Sequence, residues 1–211
     1  MNFQDNGQEL TGKIAVYGGT FNPFHMGHLL TAQTAADQFG LQKVILMPSG
    51  NSYMKDQAEI LDAQTRIRLI ELSIENNPLL MVSAMETERP GRTYTYETMR
   101  RLREKHPQVS WSFLMGADSL MAMERWRNPE KILENCRILV ASRGEWQESV
   151  LLAKVDELRR RYGGEIEMMP ERRIDISSSE IRERIRAHRS VRYMLAEKAY
   201  EYLTSHHLYL W

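Results

Sequence analysis

The amino-acid sequence predicts an α/β fold, a doubly wound parallel sheet with helices on both faces. Three observations lead there. Short apolar runs bounded by glycine or proline recur along the chain, as buried strands do. Between them lie stretches of ten or more residues whose apolar positions repeat at helical spacing. The two kinds of segment alternate, and that order places successive parallel strands in one sheet joined by helical crossovers.

The elements follow in order. Lys13 to Tyr17 is the first apolar run, ending at Gly18-Gly19, and His28 to Phe39 has helical spacing with Gly40 as its C-cap. Val44 to Met47 is a second strand stopped by Pro48, and Ser49 to Glu59 is polar loop. A helix from about Asp62 puts Arg66, Ile67, Leu69, Ile70 and Ile74 on one buried face. Leu79 to Val82 is the third strand, Thr95 to Lys105 a helix with Pro107 just beyond it, and Val109 to Met115 the fourth strand, closed by Gly116. Asn128-Pro129 opens the next helix, with Asn as N-cap and Pro at the first helical position. Ile138 to Val140 is the fifth strand, Val150 to Tyr162 a helix closed by Gly163-Gly164, and Ile166 to Met169 the sixth strand. Two helices follow, from about Ser178 and about Val191. Residues 1–211 read as one domain, with 1–12 a short extension and 177–211 a C-terminal helical segment.

Composition narrows the function. Lys+Arg and Asp+Glu both number 28, so the net charge is zero and no global field draws in nucleic acid or an anionic membrane. A phosphate ligand would need a local site. The single cysteine, Cys136, rules out a disulfide framework or a thiolate zinc cage and reads as a small core residue. Met1 to Thr11 lacks the basic start and apolar stretch of an export signal, and no apolar run approaches the ~20 residues that cross a bilayer. A cytoplasmic protein is expected.

In doubly wound sheets, ligands sit beyond the carboxyl ends of the strands, where strand order reverses. The segment after the first strand, Gly18-Gly19-Thr20-Phe21-Asn22-Pro23-Phe24-His25-Met26-Gly27-His28, therefore stands out. Its glycines let backbone approach a ligand, and the helix start offers N–H groups and positive dipole to phosphate. It is neither a Walker loop nor the Gly-x-Gly-x-x-Gly fingerprint. His25 and His28 could face the same phosphates, merely cap the helix, or bind metal, although no third metal ligand lies nearby. Far along the chain, Asp175-Ile176-Ser177-Ser178-Ser179-Glu180 is a serine-capped helix start with Arg182 one turn on.

Together these segments resemble the two signatures of the nucleotidyltransferase superfamily with a His-x-Gly-His motif. The second signature has the form Ile-Ser-Ser-Thr/Ser-x-Ile-Arg, which Ile176 to Arg182 follows throughout. Similarity to the bacterial nicotinate mononucleotide adenylyltransferases extends, with gaps, from the first strand to Tyr209. The resemblance implies a Rossmann-like sheet and transfer of AMP from ATP to nicotinate mononucleotide. His28, His25 and Arg182 are the implied catalytic residues, and Mg²⁺ is held by phosphates and water. ATP would also meet Gly18, Gly19, Thr20, Phe21, Gly116, Asp118, Arg143, Ile176, Ser177 and Ser178. Asp118 could equally be an N-cap, and Trp126 could be ordinary core instead of a platform for the pyridine ring.

The stretch Glu86 to Thr95 is similar to the family's Glu-x-x-x-x-Gly-x-Ser-Tyr-Thr, which would bring Thr95 and a helix start to the substrate carboxylate. Lys55 would meet the mononucleotide phosphate. Where relatives have Pro-Pro-His before that lysine or an arginine, this chain has Ser52-Tyr53-Met54. A nicotinamide mononucleotide or other acceptor, or a non-catalytic nucleotide sensor, stays open, as does a homo-oligomer. No nucleic-acid or membrane partner is expected.

Overall fold

The computed structural model describes residues 10–50, 59–142, 146–170 and 174–210. Six parallel strands form one sheet: β1 (Gly12–Gly19), β2 (Lys43–Pro48), β3 (Leu80–Val82), β4 (Val109–Gly116), β5 (Arg137–Ala141) and β6 (Ile166–Met168). Their spatial order is β3-β2-β1-β4-β5-β6, so the winding reverses between β1 and β4. Gly18-Gly19 and Gly116 end the two strands at that reversal.

Alternation along the strands gives the sheet two buried faces, as helices on both sides require. In β1, Ile14 and Val16 join one apolar cluster, while Ala15 and Tyr17 join the other. The helices are α1 (Met26–Phe39), α2 (Ala63–Ile74), α3 (Thr95–Lys105), α4 (Ala117–Met121), α5 (Pro129–Asn135), α6 (Glu148–Tyr162), α7 (Ser178–Arg186) and α8 (Glu197–Ser205). On α2 the buried residues are the five that periodicity selects, Arg66 among them. A third cluster joins α7 and α8 to Leu61 and Leu69 through Ile181, Leu195, Leu203 and Tyr209. The C-terminal segment thus packs beside the α2 edge of the sheet.

Several expectations are corrected. The last helix begins at Glu197, not near Val191, because turns occupy Arg192 to Met194. Asn128 is the N-cap of α5 and Pro129 follows at the helix start, as expected, but Asn128 is left-handed, φ 51°, and makes no side-chain cap bond. Asp118 lies in the first turn of α4, whose N-cap is Gly116. Cys136 is buried, and burial pushes its thiol up to about 12, which suits an inert core residue. Among the described residues no helix is long and apolar enough to cross a membrane.

Candidate active site

From Gly19 the chain turns through Phe21, at φ 51°, and reaches His25, the N-cap of α1. The glycines are needed for packing. A Cβ on Gly18 would lie 2.8 Å from the Phe113 ring, and one on Gly19 equally close to the Phe21 ring. His25 and His28 are buried and stack with ring centroids 3.7 Å apart. Phe24 also stacks on His28 at 5.2 Å, and Phe21 meets it edge-on at 5.0 Å. The backbone N–H of His25 donates to His28 Nδ1 at 3.3 Å. Since Nδ1 accepts, the proton of a neutral ring sits on Nε2, which makes that nitrogen a donor.

One part of the expected anion cradle is already taken. The N–H of Met26, the first in α1, donates to the carbonyl of Met194 at 2.9 Å. The C-terminal segment therefore caps α1, and a phosphate must be met by groups other than this N–H.

The second motif docks on the first. Ser177 caps α7 by accepting from the Glu180 N–H at 3.1 Å. Ser178 Oγ donates to the Pro23 carbonyl at 2.9 Å, and Arg182 donates to the Asn22 carbonyl at 2.9 Å. A second arm of Arg182 reaches Ser179 Oγ at 3.4 Å and lies 3.9 Å from Glu59, while its buried Nε has no hydrogen-bond partner among the described residues. Ile176, half-buried, packs against the C-terminal cluster.

Across the reversal, Gly116 is open: among the described residues, and leaving out its chain neighbours, no atom lies within 4 Å of where a Cβ would stand. Asp118 is exposed and accepts from the Trp146 indole at 2.8 Å. Trp126 is half-buried and meets Phe113 edge-on, centroids 6.2 Å apart, so Phe113 is shared between Gly18 and Trp126. The short 3₁₀ turn Met123–Arg125 just before Trp126 is tied to α6 by Glu124, which pairs with Lys154 and, at 2.6 Å, with Arg161. Thr95 is the first residue of α3. Its neighbour Tyr94 lies under the Arg127 guanidinium at 5.4 Å, which brings the Thr95 and Trp126 segments side by side. Lys55 and Arg143 lie outside the described residues.

Sequence reasoning missed four residues. Arg66, a cation on an otherwise apolar helix face, donates to the carbonyls of Thr20 (2.9 Å), Ser49 (3.0 Å) and Leu61 (3.0 Å), and burial lowers its affinity for the proton. It staples the loops after β1 and β2, and its position among apolar residues was the available signal. Glu86 accepts from Thr98 at 2.8 Å and Thr93 at 3.3 Å, anchoring the approach to α3. Asn22 and Tyr209, distant in sequence, form a buried pair at 2.8 Å.

Residues 16–184 match the family model described as cytidylyltransferase-like. A relative from Lachnoclostridium phytofermentans, named a nicotinate-nucleotide adenylyltransferase, is 37% identical over 94% of this chain and 99% of its own. One from Clostridium tetani, similarly named, is 32% identical over 93% and 98%. Among solved structures, the Plasmodium falciparum nicotinic acid mononucleotide adenylyltransferase complexed with NaAD superposes with a TM-score of 0.75 at 18% identity, covering 94% of this chain and 97% of that one. At that identity the likeness establishes the fold.

Proposed function

This chain belongs to the cytidylyltransferase-like family and, within it, to the nicotinate-nucleotide adenylyltransferases, and from that premise we propose that it makes nicotinate adenine dinucleotide. It transfers AMP from ATP to nicotinate mononucleotide, a cytoplasmic step of NAD biosynthesis carried out by the chain as one unit. An oxygen of the mononucleotide 5′-phosphate attacks the ATP α-phosphorus in line. The bond from that phosphorus to the bridging oxygen breaks, and pyrophosphate leaves. The attacking oxygen is already anionic, so no protein nucleophile is required; the work is alignment and charge stabilisation.

The observation that carries this reading is the meeting of the two motifs at the β1–β4 reversal, through Ser178 on Pro23 and Arg182 on Asn22. His28 donates from Nε2 to the α-phosphate, and His25, stacked on it, meets the neighbouring phosphate. Arg182 and the serines Ser177 and Ser178 complete the triphosphate side, with Arg143 beyond them. The adenosine lies over the open face of Gly116, near Asp118, with the backbone of Gly18 to Phe21 below. Trp126 stacks on the pyridine ring, the start of α3 at Thr95 meets its carboxylate, and Lys55 meets the mononucleotide phosphate.

Among the described residues no group of three or more His, Cys, Asp or Glu side chains could hold a metal. A Mg²⁺ would be carried by the triphosphate oxygens and water, where it would offset their negative charge. The test follows pyrophosphate release from ATP and Mg²⁺ with nicotinate or nicotinamide mononucleotide. Strong preference for the nicotinate form is expected. Equal use of both would overturn the α3 carboxylate site, and no release with either would overturn the assigned reaction.

A further inference from the structure

The loop that carries the histidines is fastened by the far end of the chain. Tyr209 is 1% exposed, and its hydroxyl donates to Asn22 Oδ1 at 2.8 Å across 187 positions of sequence. Asn22 is 5% exposed, and both ends of its side-chain amide and its backbone carbonyl are hydrogen-bonded. Oδ1 also accepts from the Leu61 N–H at 3.1 Å, Nδ2 donates to the Glu59 carbonyl at 2.8 Å, and its own carbonyl receives Arg182. Two members of this assembly are held in the left-handed region, Tyr209 at φ 66° and Phe21, next to Asn22, at φ 51°. Such conformations persist where surrounding contacts over-determine them.

We infer that Tyr209 and Asn22 are positioning residues for adenylyl transfer, a latch by which the C-terminal segment sets the His25–His28 loop against the α-phosphate; the inference rests on the proposed reaction. Neither side chain needs to touch substrate. Asn22 stands three residues before His25, and the same C-terminal segment supplies the Met194 carbonyl that caps α1. Among the described residues Arg66 and Arg182 are the charged groups that act on the Tyr209 hydroxyl, and burial pushes that hydroxyl above its ordinary range, so it remains a donor. Histidine donors act on charge that develops during transfer, so their displacement acts on kcat more than on substrate affinity.

The experiment compares Tyr209→Phe with the wild-type chain in the nicotinate mononucleotide assay, below both melting temperatures. The variant keeps the ring and removes the hydroxyl, and with it the bond to Asn22. Its kcat is expected to fall about tenfold, while KM for each substrate stays within about threefold. Asn22→Asp, which keeps the acceptor for Tyr209 but loses donation to Glu59, should also lower kcat, giving a second reading if the first variant folds poorly. An unchanged kcat in either folded variant, with or without a lower melting temperature, would overturn the latch. An inactive wild-type chain would instead overturn the reaction on which it rests.

Discussion

The starts of α1 and α7 are joined through Ser178 on Pro23 and Arg182 on Asn22, yet they are built in opposite ways. At α7 the cap is ordinary: Ser177 accepts from Glu180, and the next serine and Arg182 turn toward the backbone at Asn22 and Pro23. At α1 the N-cap is a histidine, the residue three on returns an acceptor to it, and the first N–H is covered by Met194. On the proposed reaction, one helix start holds its partner while the other carries the chemistry. A serine cap stabilises a helix at almost any site. Two buried, stacked imidazoles are a costly way to begin one, and their use here points to the ligand.

His28→Ala tests the α1 start directly. Removing one preorganised donor from developing charge lowers kcat by about 10²–10³, or roughly 3–4 kcal/mol of barrier. The measurement is steady-state kinetics on folded protein, with ATP binding followed separately by calorimetry. Near-normal kcat would move the chemistry away from α1 and cancel the distinction between the two starts.

The contrast also marks how far sequence could be read. The span of α3 and the buried face of α2 were legible because a helix of three turns averages out local noise and its apolar stripe is dictated by one flat sheet. The winding order followed from alternation. The turns near Asp118 and Trp126 were less so, since five-residue α4 and a three-residue 3₁₀ turn hold too few positions to show a period. A start near Val191 is not a helix at all: Val191 and Leu195 are buried on either side of a turn at Arg192 to Met194. Motif residues were legible as types, but not where they would aim: Arg182 spends one arm on a backbone carbonyl. Asn22 and Tyr209 could not be paired at all, because nothing local links residues so far apart.

A milder test works from the other side. Ser177→Ala removes the α7 cap and should cost about 1 kcal/mol of stability, seen in urea unfolding as a lower midpoint with an unchanged slope. Its activity, measured while folded, should fall less than tenfold. A loss as large as that of His28→Ala would make Ser177 an equal partner in the chemistry.

The smallest effect belongs to Glu86, which anchors the approach to the third helix start, that of α3. Burial raises its carboxyl above the ordinary range, against the opposing pull of Thr98, Thr93, the Arg89 cation and the Gly50 N–H. The folded chain therefore holds this proton more tightly than the unfolded chain. Where the folded state binds more protons, stability falls as pH rises. Relative to Glu86→Gln, which has no proton to lose, the wild-type chain should be at its best below the ordinary carboxylate range. It should lose ground as pH climbs from that range through the raised folded value, and then level off. Melting temperatures of the two proteins across mildly acidic to neutral pH read this difference directly. A difference that stays flat or grows with pH would mean that the hydrogen bonds from Thr93 and Thr98 outweigh burial, and that α3 rests on a fully charged carboxylate.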